Sequence, residues 1–136
     1  MTPNSDFKHR RIFKSAVTSN NVINELIVLM VLGELVDPGP DVWIVSPWIS
    51  DVSLIDNQAG GFDAVNPQWG RREIRLADVV VQLMVGGSRI VLVTRPDEHN
   101  KTFLYRLEEA AADLALTDLL SITMRERLHT KGILTR

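Results

Sequence analysis

Two short apolar runs constrain this chain more than any other feature. Val42-Trp43-Ile44-Val45-Ser46 stops at Pro47, and Arg89-Ile90-Val91-Leu92-Val93-Thr94 stops at Arg95-Pro96. Runs rich in β-branched residues, with no polar alternation, read as strands buried on both faces. Between them Leu76, Val79, Val80, Leu83 and Met84 follow i, i+3, i+4, i+7, i+8 spacing. That spacing predicts a helix, closed by Gly86-Gly87 as its C-terminal stop. Strand, helix and strand in this order require a crossover, which pairs the strands in parallel and makes the domain α/β.

The remaining elements extend that pattern. A helix is expected over residues 20–35, with Thr18 and Ser19 as caps and Pro38 and Pro40 beyond its end. Its apolar residues go nearly all round, so it should be mostly buried. Residues 49–70 dissolve into Asp56-Asn57-Gln58-Ala59-Gly60-Gly61 and Asn66-Pro67, a long loop that Trp48, Phe62 and Trp69 should order. Phe103, Leu104, Leu107, Ala110, Ala111 and Leu114 mark a second surface helix over residues 100–115. Two more strands are expected at residues 119–124 and 128–135. The expected domain, residues 1–136, is a mainly parallel sheet flanked by helices, with functional groups at the carboxyl ends of the strands.

Composition narrows the functional classes. At 136 residues, 45% hydrophobic and 24% charged, the chain has the make-up of one globular domain. It contains no cysteine, so disulfides, thiolate nucleophiles and thiolate zinc sites are excluded. The longest apolar run, residues 26–32, is far below the ~18 residues of a membrane span, and the polar N-terminus carries no export signal. A cytoplasmic protein is expected. A net charge of −2 argues against a uniformly cationic nucleic-acid binder, yet the charges cluster. Lys8, Arg10, Arg11 and Lys14 open the chain, Arg71, Arg72 and Arg75 follow a segment (residues 16–70) without Lys or Arg, and Arg125, Arg127, Lys131 and Arg136 close it. No G-x-G-x-x-G follows either parallel strand, and neither G-x-x-x-x-G-K-[ST] nor G-x-S-x-G occurs.

The informative segment is His129-Thr130-Lys131. In an extended strand these two side chains share a face about 7 Å apart. A neutral imidazole can attack phosphorus or transfer a proton near neutral pH, while the ammonium neutralises non-bridging oxygens. The bland alternative is a strand-end histidine beside a snorkelling lysine. Apolar neighbours Leu128, Ile133 and Leu134 imply that Lys131 is buried and needs an anionic partner. Arg127 shares that face only if no turn intervenes. Ser46 and Arg95 end neighbouring strands and either line the site or serve turns. Trp48 and Trp69 either stack on bases or pack in the core. Asp97, Glu98 and His99 read as a helix cap rather than a metal cluster.

With these elements in order, the chain resembles the phospholipase D superfamily over most of its length. The likeness rests on the strand ending in Ser46-Pro47-Trp48, on Thr94-Arg95-Pro96, and on Leu128-His129-Thr130-Lys131 followed by Gly132-Ile133-Leu134-Thr135. Ser46-Pro47-Trp48-Ile49-Ser50-Asp51 and the residues from Thr94 to Asn100 look like the members found in bacterial DNA modification and restriction clusters, including those handling 7-deazaguanine. The resemblance implies a phosphodiesterase, a nuclease acting on DNA, that uses no metal and no cofactor. His129 would be the nucleophile, forming a phosphohistidine, or the acid and base. Lys131 would hold the phosphate, with Ser46, Trp48, Arg95 and Arg127 as substrate contacts. Two such motifs meet in one site, so a homodimer is implied. The family acid, however, falls on Arg136, and the Gly-Ser and Asn positions lie beyond the chain. The expectation is therefore either a fragment of a longer enzyme or an inactive module for nucleic-acid binding or subunit assembly. In either case the last strand would form an exposed sheet edge.

Overall fold

The computed structural model describes residues 10–13, 30 and 32–136. A five-stranded mixed sheet lies at its centre, in the order β1 (Arg10–Phe13), β7 (Gly132–Thr135), β2 (Asp41–Val45), β5 (Arg89–Thr94), β6 (Leu120–Met124). β2, β5 and β6 pair in parallel, while β7 runs antiparallel to both β2 and β1. Four strands thus run one way and β7 against them. The α/β class and the flanking helices α1 (Leu76–Val85) and α2 (Lys101–Asp113) agree with the sequence. Of the helix expected over residues 20–35, the described part, residues 30 and 32–35, is helical; the rest, and its caps, lie outside the described residues.

The register explains the layering. Val42 and Ile44 pair with Ile90 and Leu92, and these four side chains, together with Val80, Leu83 and Met84 of α1 and Phe103, Leu104 and Leu107 of α2, form one apolar core. Alternation sends Trp43 and Val91 to the opposite face. There Trp43 remains 38% exposed, so β2 is not buried on both faces as expected. The Gly86 amide donates to the Gln82 carbonyl (3.0 Å) and the Gly87 amide to the Met84 carbonyl (2.9 Å), and Gly87 takes φ 99°, a conformation that turns the chain out of the helix at little cost only for glycine.

Three expectations fail. The last strand is not an edge: β7 lies between β1 and β2, satisfied on both sides. Its partner β1 is too short, and too distant in sequence, to have been read from the pattern. The strand also begins only at Gly132, because Glu126 and Arg127 form a turn and residues 128–131 are irregular. Finally, the long loop contains an antiparallel pair, β3 (Ser53–Asp56) and β4 (Glu73–Arg75). Ile55 and Ile74 from this pair form a second core with Trp69 and Val79. Buried Asn57 holds the connecting loop, its amide nitrogen donating to Asp63 Oδ1 (3.0 Å) and the Gly70 carbonyl (2.7 Å) and its Oδ1 accepting from the Phe62 amide (2.7 Å).

At the amino edge of β2 the buried carboxylate of Asp41 accepts from Arg89 Nε (2.9 Å) and Arg136 Nε (3.1 Å) and pairs with Arg136 Nη2. The Arg136 hydrogen bonds, aided by Arg89 and opposed by burial, hold the Asp41 carboxyl below the usual carboxylate range. A depressed folded-state pKa contributes stability above the unfolded value of ~3.9, and that contribution is lost as pH falls through the folded value. Asp41→Asn is therefore expected to lower stability at pH 7 by about 1–3 kcal/mol, less than the loss of a fully buried pair because both arginines stay half exposed. Urea unfolding at descending pH checks this. The gap from wild type narrows below about pH 4; a gap independent of pH contradicts the assignment.

Candidate functional site

Parallel pairing of β2 and β5 brings the residues that follow them to one edge of the sheet. The Ser46 amide donates to the Val93 carbonyl (3.0 Å), and the Arg125 amide beyond β6 donates to the Thr94 carbonyl (2.8 Å). The segments after β2, β5 and β6 therefore meet at the carboxyl edge. Because β7 is antiparallel and starts beside Val45, the residues leading into it, His129 to Lys131, arrive at the same edge.

Buried Asn100 fixes this edge. Its Oδ1 accepts from the Ile49 amide (2.8 Å), and its Nδ2 donates to the Pro47 carbonyl (3.0 Å), Thr94 Oγ1 (3.0 Å) and the Arg95 carbonyl (2.9 Å). One amide thus locks the turn after β2 to the turn after β5, and Trp48 and Arg95 project from the locked backbone. The Arg95 guanidinium lies 5.3 Å from the Trp48 ring centroid, and its Nη2 lies 3.2 Å from His129 Nδ1. Arg95 Nε is buried with no partner among the described residues. A guanidinium has donors only, so Nδ1 is the acceptor and a neutral His129 ring carries its proton on Nε2.

Trp48, Arg95 and His129 thus form one cluster, while the other candidates stand apart from it. The Ser46 hydroxyl donates to the Trp48 carbonyl (2.7 Å), a local turn bond. Arg127 sits exposed in the turn and Lys131 exposed ahead of β7, neither side chain bonded to a described residue. The shared-strand-face argument for His129 and Lys131 does not apply, since neither lies in a strand, and Lys131 is not a buried charge. Arg136 lies at the opposite edge, engaged with Asp41. Trp69 is a core residue, 6% exposed, whereas Trp48 is 48% exposed. Asp97 acts as a cap, accepting from the His99 amide (2.8 Å), and Glu98 pairs with Lys101 (2.6 Å).

Sequence reasoning missed Asn100, the Ser50 Oγ to His99 Nε2 hydrogen bond (2.8 Å), and Asp51. Asp51 accepts from the Ala77 amide at the start of α1 (2.9 Å) and from Arg106 of α2 (2.9 Å), tying the β2 turn to both helices. A groove of about 770 Å³ runs beside Asp51 between α1, α2 and residues 65–69, and none of the candidate residues at the carboxyl edge lines it. Among the described residues no helix is long and apolar enough to cross a membrane. No family model, curated protein or solved structure matches the chain.

Proposed function

We propose that the carboxyl edge binds a phosphodiester, and that the chain is a cytoplasmic, metal-independent phosphodiesterase of the phospholipase D-like type acting on DNA as a homodimer. The observation that carries this reading is the hydrogen bond between Arg95 and His129 at the edge where β2 and β5 end. The guanidinium presents a fork of donors matched to phosphate oxygens, and charge-assisted bonds to phosphate are stronger than its bond to a neutral imidazole. An incoming phosphate draws Arg95 off the ring and frees the Nδ1 lone pair. Attack by Nδ1 forms a P–N bond as a P–O bond breaks; the leaving oxygen takes a proton from His129 of a second copy, which then activates the water that hydrolyses the phosphohistidine. Lys131, exposed two residues away, is free to reach the same phosphate.

A second reading, a non-catalytic module for nucleic-acid binding or assembly, draws on Arg136. It stands where the resemblance expects an acid, and its side chain is held by Asp41 at the far edge. Cleavage of end-labelled DNA in excess chelator decides between the two. The enzyme reading expects chelator-resistant products and an acid-labile phosphoprotein. Binding without cleavage favours the nucleic-acid-binding module, and failure to bind any phosphodiester removes the enzyme and leaves the assembly role alone.

A further inference from the structure

Trp48 belongs to neither apolar core, yet its placement is fixed. The Ser46 hydroxyl holds its carbonyl, and the next residue, Ile49, donates its amide to buried Asn100. The Arg95 guanidinium stacks on the ring, and nearly half of Trp48 (48%) still faces solvent. An indole that contributes little to the core, is held by its backbone on both sides and lies beside a cationic fork is a preformed stacking surface. Bases in a duplex have their faces covered by neighbouring pairs, whereas an unpaired base offers a free π-face. Resting on the phosphodiester reading above, we propose that Trp48 is a specificity residue that makes this edge select single-stranded over double-stranded nucleic acid. An unpaired base stacks on the exposed indole while its phosphate is held by Arg95 and His129.

The test compares the binding, at fixed salt, of a single-stranded DNA oligonucleotide, its duplex and an abasic sugar-phosphate strand of equal length. The single strand is expected to bind tightest and to quench tryptophan fluorescence, and the quench is expected to be lost in Trp48→Phe. Trp48→Ala is expected to weaken single-strand binding by roughly 5- to 150-fold, the range of one base stacked on an aromatic side chain, and to narrow its advantage over the abasic strand. Trp48→Phe, which keeps an aromatic face, is expected to restore most of the affinity. Equal binding of all three probes, or an unchanged preference in Trp48→Ala, overturns the stacking role while leaving phosphate recognition intact. If no probe binds, the phosphodiester reading fails and the specificity goes with it.

Discussion

Replacing His129 with alanine is expected to lower phosphodiester cleavage on the order of 10³-fold or more, and to leave unfolding by heat or urea nearly unchanged. Both halves of this result follow from where the residue sits. His129 is exposed in an irregular segment ahead of β7, and its side chain bonds to Arg95 among the described residues, so its loss should cost within about 0.5 kcal/mol of stability. The catalytic loss is large because one ring would perform both the attack and, in the facing copy, the proton transfer. Arg95→Lys separates charge from geometry. It keeps the cation but loses the planar fork that spans Nδ1 and the Trp48 face, so cleavage should fall while electrostatic capture of the strand, read from the salt dependence of binding, persists. Cleavage that survives in His129→Ala would assign the chemistry elsewhere, and a large drop in stability would show that the ring is structural.

The parts of this site that the sequence disclosed are those written in local pattern. β5 and α1 follow from an unbroken β-branched run and from 3.6-residue periodicity closed by two glycines, and the rule that groups gather at carboxyl ends located Ser46 and Arg95. What stayed hidden depends on distant partners. β1 has four residues and pairs with the far end of the chain, β3 and β4 each carry too few apolar positions to show alternation, and the insertion of β7 between β1 and β2 leaves no mark in spacing. His129 and Lys131 stand out by residue type, but the turn at Glu126 and Arg127 cancels the parity that would orient them. Nothing in the pattern marks Asn100 as the residue that holds the edge. A buried amide in a capped turn looks like any other polar loop residue until two backbone turns converge on it.

That convergence makes Asn100 the position where a single substitution should do most damage to the fold. Asn100→Ala orphans the buried Ile49 amide and takes one donor from the Pro47 carbonyl, which keeps Thr94 Oγ1, and one from the Arg95 carbonyl, which keeps the Asp97 amide. The orphaned amide costs about 1–3 kcal/mol and the other lost bonds about 0.5–1.5 kcal/mol each, so with partial relaxation the expected total is about 2–4 kcal/mol. For a chain of this size that corresponds to a fall in Tm of roughly 7–14 °C. Asn100→Asp keeps the shape and the acceptor for the Ile49 amide but turns the donor nitrogen into an oxygen facing two carbonyls. Burial and those carbonyls disfavour the ionised form and raise the folded-state pKa of the introduced carboxyl. The Asp variant should therefore be destabilised at neutral pH and recover as pH falls and the group gains a donor proton, the reverse of the trend expected around Asp41. Because Asn100 also anchors the turns bearing Trp48 and Arg95, variants that remain folded at low temperature should bind single-stranded DNA more weakly than wild type. Urea titrations across pH combined with oligonucleotide binding read both effects together. Loss of less than about 1 kcal/mol in Asn100→Ala would mean that water replaces the amide fully, and that Asn100 does not hold the edge together.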